Sequence, residues 1–222
     1  MAGWGAGLRE AAGAPALAMA ATFVAFGAAA AEAGLGLGWA LAASGLVYGM
    51  AGQLVLVQMA GAGALPASIA ATAANARFLP MSIALAPLLG PSRGRRWLAL
   101  PFIAVTCWAA GMRRLPMLPE AARLPWFLGF SAMSWGIGMA GTWAGHVAAP
   151  ALPIEWRAAL LFTNPLYFAL LLAGDLGRPG VRGAVVGGVL AAPLALWPAL
   201  GPWALPLAGL VGGTAAFLAA RR

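Results

Sequence analysis

Lysine is missing from this 222-residue chain, and all thirteen basic residues are arginines. The acids number five, including a single aspartate, Asp175, and there is one histidine, His146, and one cysteine, Cys107. A lone cysteine rules out an intrachain disulfide and any multi-cysteine metal site. With Glu10, Glu32, Glu120, Glu155 and Asp175 scattered along the chain, no oxygen-ligand metal centre is evident, and no metal or cofactor is expected. The clustered aspartates of metal-dependent alcohol phosphatidyltransferases are absent, and so is a Walker phosphate loop. Gly-x-Ser spacing occurs at Gly90-Pro91-Ser92 and Gly129-Phe130-Ser131, neither in a setting that matches a membrane serine protease, and the one histidine, His146, lies in GTWAGHVAAP. An enzyme is therefore not the expectation.

What is abundant is apolar sequence. Hydrophobic residues make up 63% of the chain and charged residues 8%, against about 25% in soluble domains. With a mean hydropathy of +0.88, the chain reads as an all-α, polytopic membrane helix bundle: one transmembrane domain over residues 1–222, with about six to eight membrane segments and broken or re-entrant helices. The formal charge of +8 comes from arginines lying between apolar runs, which fits anchoring against anionic membrane lipid better than nucleic-acid binding. The first apolar run is of spanning length and follows Arg9 and Glu10, so no cleavable signal pattern is expected.

The apolar runs cover residues 14–33, 39–61, 64–90, 97–112, 124–149, 158–174, 183–200 and 203–220. If all eight crossed, Arg93, Arg95 and Arg96 would fall outside, against the positive-inside rule. If 64–90 and the short 97–112 run each dip in and return, those three join eight other arginines inside and leave Arg157 outside; this arrangement is preferred. Four-residue glycine pairs, Gly45/Gly49, Gly141/Gly145, Gly183/Gly187 and Gly209/Gly213, would let helix backbones approach closely, and one facing outward would mark a docking face.

The chain is organised around 64–90, which is long enough to cross a bilayer yet carries Asn75 and Arg77 near its middle and Pro80 just after. A mid-membrane arginine costs roughly 2.5–3.5 kcal/mol on insertion scales and is usually kept where it faces a protein interior or a wet cavity. Proline removes a backbone donor and disfavours helix at Leu79. The stretch reads as a broken helix lining a polar cavity, which in transporters is where substrate sits. Asn164 with Pro165 reads as a second break.

The run FVAFGAAAAEAGLGLGWALAASGLVYGMAGQLVLVQMAGAGA, followed by NARFLPMSIALAP, resembles the AzlC-type branched-chain amino acid exporters. The matching positions are Phe26, Gly27, Ala33, Gly34, Leu35, Ser44, Gly52, Gln53, Asn75, Arg77, Met81 and Pro87, and the likeness covers about residues 13–175. Three departures stand out: Phe78 replaces a histidine, Gly52 a serine, and Thr106-Cys107-Trp108 a Thr-Asp-Glu. The resemblance implies a multi-pass transporter subunit of the cell inner (plasma) membrane. It would export branched-chain or other apolar amino acids, driven by the proton gradient and paired with a small hydrophobic AzlD-type subunit.

The residues themselves suggest a compatible site. An amino acid zwitterion needs partners for both charges and an apolar pocket for its side chain. Arg77 and freed N–H groups after Asn75 suit the carboxylate. Gly49 and Gly52 allow close backbone approach, Gln53 offers a donor and an acceptor, and Tyr48 and Met81 shape the apolar side. Glu32 and His146 are the ion-coupling candidates. Arg77 pairing with Glu32, or snorkelling to an interface, stands as the other reading of that residue, and interhelical hydrogen bonding is the other reading of Gln53 and Asn75. A substrate-binding module of an ATP-driven transporter and a non-transporting structural protein are the competing functions.

Overall fold

Alanine, leucine and glycine dominate every apolar run and give none of the period-two alternation that a strand needs. The described residues are helical and contain no strand. The computed structural model describes residues 2–90, 93–151, 153–177 and 180–220. Arg178, Arg221 and Arg222, and the side chains of Arg93, Arg95, Arg157 and Asn164, lie outside the described residues.

Helix α1 (Ala2–Ala11) and helix α2 (Ala14–Glu32) run one after the other along the 29-residue α9 (Glu120–Ala148), in the same direction. Gly7 lies against Trp126 near the start of α9, and Gly27 against Thr142 near its end. Side chains at Gly27 and Gly145 would collide with the carbonyls of Thr142 and Val24, so the close approach of α2 to α9 depends on both glycines. Residues 2–11 are thus a helix packed against α9.

Helix α3 (Leu37–Ala42) continues as a π-turn over Ala43–Val47, breaks at Tyr48 and Gly49, and turns back as α4 (Met50–Gln58). The Nε2 of Gln53 donates to Ser44 Oγ at 3.0 Å, whereas nine residues of unbroken helix would separate the two by about 13 Å. At the outer end of this hairpin, Leu35 and Trp39 share a pocket with Leu56 and Ala60. The 39–61 run therefore folds back on itself at Tyr48 and Gly49.

Helix α5 (Ala64–Asn75) and helix α6 (Phe78–Leu85), extended by a 3₁₀ turn over Ala86–Leu89, are bent by 45° at their break. The cause is local. The carbonyl of Ala76 would accept from the N–H of residue 80, which is proline and has none; Leu79 N–H donates to it instead, at 3.1 Å. The break is where the sequence places it, but 64–90 does not dip and return. Its start joins the outer end of the α3/α4 hairpin, and its end, Gly90, lies beside Glu120 at the start of α9.

From there the short α7 (Arg93–Arg96) leads through Trp97–Ala104 back into the bundle interior. Helix α8 (Val105–Arg114) then returns to the same end, where Arg114 pairs with Glu10 at 3.1 Å. The 97–112 run is thus the second hairpin, inserted from the opposite end to the first. Helix α10 (Ile154–Asp175) passes through Pro165 without interruption, which corrects the expected break at Asn164-Pro165. Neighbouring helices and small backbone adjustments let a proline sit inside an apolar helix. Helices α11 (Val181–Ala195) and α12 (Ala204–Ala220) form a hairpin in which Gly187 meets Gly212, while Gly183, Gly209 and Gly213 face open space.

Among the described residues, two helices are long and apolar enough to cross a membrane, Ala14–Glu32 and Ala158–Asp175, and the bent pair makes a third. Arg9, Arg96, Arg113, Arg114, Arg123 and Arg182 gather at the end that holds Glu10, Glu120 and Asp175. Cysteines placed at Gly94 and Gly177, where a side chain meets open space, are expected to react with an impermeant thiol reagent from one face of the membrane, and one at Gly61 from the other. The native Cys107 thiol is 0% exposed and should stay silent. Labelling of Gly94→Cys and Gly61→Cys from the same face would reject a crossing at 64–90.

Candidate functional site

The two backbone breaks meet. Asn75, the last residue of α5, accepts at Oδ1 a hydrogen bond from the Gly52 N–H at 3.1 Å. That N–H belongs to the first turn of α4, which has no cap of its own, so the amide of one broken helix caps the other. An added Cβ on Gly49 would come within 2.6 Å of the Phe78 ring and 2.8 Å of Asn75 Oδ1, and one on Gly52 would overlap the Asn75 amide. Between these glycines and the π-turn stands Tyr48, the only described non-glycine residue with a positive φ, at φ 40° and ψ 39°. Such a left-handed conformation costs about 1–2 kcal/mol for an L-residue. Here a side chain only 3% exposed, its ring 6.0 Å from that of Phe23, holds it in place.

Beside this crossing lies a cavity of about 600 Å³, within the roughly 300–1,000 Å³ usual for small-molecule sites. Its walls are mostly apolar, with Met19, Phe23, Phe78, Trp108 and Met112 prominent. Three features give it polarity. Arg77, at the break between α5 and α6, lines it with its Cζ 5.6 Å from the Phe78 ring centroid, and no described carboxylate pairs with it. The first residues of α4 (Gly49, Met50) and of α8 (Ala104, Val105, Thr106) line it too, so two half-helices begin there from opposite ends of the bundle. In α8 the first intrahelical bond is Trp108 N–H to Ala104 O, which leaves the N–H groups of Val105, Thr106 and Cys107 without helical acceptors. At the rim, Arg113 from the end of α8 forms an ion pair with Asp175 from the end of α10.

Of the residues the sequence singles out, Arg77, Tyr48 and Gly49 line this cavity, while Asn75 and Gly52 form the joint behind it. Gln53 does not line it. It is fully buried, donating to Ser44 Oγ, which in turn shares a 2.6 Å hydrogen bond with Thr142 Oγ1 of α9. Met81 is half-buried against the core around Leu85 and Phe127, outside the cavity wall. Glu32 is exposed at the end of α2. His146 donates from Nε2 to the Leu35 carbonyl at 2.8 Å, fastening the α2–α3 turn to the last turn of α9. Neither of these two is part of the cavity lining.

Sequence reading passed over Arg113 and Asp175 as site residues, although Asp175 is the chain's single aspartate. It also missed a group behind the cavity wall, where Tyr48, Ser131 and Ser134 gather around Cys107. The hydroxyls of all three are buried, and the Cys107 thiol is the polar group they face.

Replacing Asn75 by leucine is expected to lower stability by about 1–2 kcal/mol, because it leaves the Gly52 N–H without its acceptor. Asn75→Asp, which retains an oxygen there, should cost less. Thermal melting of the detergent-solubilised protein measures both, and equal melting of wild type and Asn75→Leu would dismiss the cross-cap.

A family model described as AzlC protein matches residues 15–152. The matched span holds both breaks, both hairpins and all of α9, and ends before α10. No curated protein and no solved structure matches the chain.

Proposed function

This chain belongs to the AzlC family, which fits a role in membrane transport, and we propose that it is a transporter subunit exporting branched-chain or other apolar amino acids. The observation that carries the reading is the convergence of Arg77 and the N-termini of α4 and α8 on one apolar-walled cavity. Unpaired N–H groups and the positive ends of helix dipoles favour an anion, and a guanidinium adds a full charge and a planar pair of donors suited to a carboxylate. Met19, Phe23, Met50, Trp108 and Met112 offer a wall on which an aliphatic side chain packs, and thioethers adapt to differently branched chains. Half-helices that begin at mid-depth from opposite ends are the arrangement transporters use for small charged substrates.

In this reading the protein sits in the cell inner membrane with six crossings, α2, α5–α6, α9, α10, α11 and α12, and two hairpins that enter from opposite faces. No catalytic step is assigned to it. Proton coupling and a small AzlD-type membrane partner come from the family likeness. The unburied apolar faces of α10, α11 and α12 leave room for such a subunit.

Cells preloaded with labelled leucine and expressing this chain with its small partner should release it faster than cells lacking either, and an uncoupler should abolish the difference. Arg77→Gln is expected to reduce leucine efflux about 10- to 100-fold, the loss of one charge-assisted interaction, with Arg77→Lys in between. Undiminished efflux from a well-expressed Arg77→Gln protein would remove the arginine from the mechanism.

A further inference from the structure

We propose that Asp175 holds the ammonium group of the transported amino acid, and that the zwitterion enters by replacing Arg113 as the partner of that carboxylate. This rests on the exporter reading and adds to it the group that recognises the second charge of the substrate.

Among the described residues, the cavity lining contains three ionised side chains: Arg77, Arg113 and Asp175. Two are cations, and the two half-helix ends beside them are also positive, so the wall as a whole is built for negative charge. An amino acid brings an ammonium as well, and burying that charge without an opposite one is expensive. Asp175 is the one carboxylate on the wall, and it stands at the rim, held by Arg113. Their side chains are 23% and 35% exposed, so the pair is partly withdrawn from water and breaking it without replacement leaves two poorly solvated charges.

A zwitterion removes that difficulty. Its ammonium takes over Asp175 while its carboxylate meets the arginines, so every charge keeps a partner throughout. A ligand with only a carboxylate leaves Asp175 on Arg113. A ligand with only an amine leaves the guanidiniums without a new anion. The ion pair thus selects substrates that carry both charges. Asp175 and α10 lie beyond residues 15–152, so this half of the recognition comes from outside the family-matched span.

Two substitutions break the same bridge and separate ligand from strut. Efflux of leucine is compared with efflux of 2-hydroxyisocaproate, which has the same skeleton and carboxylate but a hydroxyl in place of the ammonium, from cells expressing the full chain with its partner. Asp175→Asn is expected to lower leucine efflux at least about tenfold relative to 2-hydroxyisocaproate. Arg113→Gln, which keeps the carboxylate, is expected to preserve the preference for leucine. Where Asp175→Asn alone does not accumulate in the membrane, the double variant Arg113→Gln/Asp175→Asn removes both charges of the bridge and must show the same shift against leucine. If both single variants slow the two compounds alike, the pair is a strut and the proposal is overturned. If wild type releases no leucine above background, the exporter reading fails and this one with it. Normal leucine efflux with an unchanged preference in Asp175→Asn overturns the ammonium assignment alone.

Discussion

One hydrogen bond, from the Gly52 amide to the Asn75 side chain, joins the two places where this chain stops being helical inside an apolar bundle. In hydrocarbon an unpaired backbone group costs several kcal/mol, so irregular backbone survives only where protein or a wet cavity meets its hydrogen-bonding needs. The α5–α6 break is forced by Pro80, and the α3–α4 break is held by buried Tyr48 in a left-handed conformation. Each break needs the other: Asn75 completes the first turn of α4, and the side-chain-free surfaces of Gly49 and Gly52 give Asn75 and Phe78 somewhere to lie. From that joint follow the inward-facing start of α4, the position of Arg77 on the cavity wall, and the cavity itself.

The sequence makes one of these breaks plain and hides the other. Asn75, Arg77 and Pro80 within six residues of an otherwise apolar run conflict with a lipid-facing helix, and the bend lies there. Nothing comparable marks Tyr48. A tyrosine in the left-handed region is held by tertiary packing, and neighbouring Gly45 and Gly49 read equally well as helix-packing glycines. Of the two runs expected to fold back, 97–112 does so, whereas 64–90 only bends by 45° and it is 39–61 that turns back on itself; Arg96 still lies with the other arginines. The hydrogen-bonding residues show the same limit. Gln53 and Asn75 carry similar amides five residues or fewer from a break. Whether such a side chain faces a cavity or a neighbouring helix depends on the hairpin's twist, which short-range spacing does not encode. Gln53 went to Ser44, and Asn75 to a backbone amide. Asp175 could have been noticed as the chain's one aspartate, but its partner Arg113 is 62 residues away.

The electrostatics of the cavity explain why so polar a feature persists among apolar helices. A charge in a low-dielectric setting is tolerated where fixed dipoles and counter-charges surround it. Here α4 and α8 point their unsatisfied N–H groups into the same space from opposite ends, which fixes a positive potential without adding ionised side chains. The positions after Ala104 fit that arrangement. There this chain has Thr106-Cys107-Trp108, and no acid in the first turn of α8 offsets the helix end. Behind the wall, the thiol of Cys107 lies among the hydroxyls of Tyr48, Ser131 and Ser134. The negative charge is displaced to the rim, onto Asp175.

That displacement matters because the two sides of the cavity are packed differently. Helices α1, α2 and α9 interlock through glycines against carbonyls and surround buried Phe23, Trp126, Phe127 and Phe130; such jigsaw contacts resist small shifts. Across the cavity, none of the described side chains in the 158–175 window of α10 is buried, and its main packing neighbour is α2. Regions with few buried apolar contacts are the ones that rearrange at least cost. The Arg113–Asp175 pair is a charged link across this boundary, between α8 on the packed side and α10 on the open side. An ion pair inside either region would only add rigidity. Placed between them, it makes the separation of the two sides depend on what else can pair with the carboxylate.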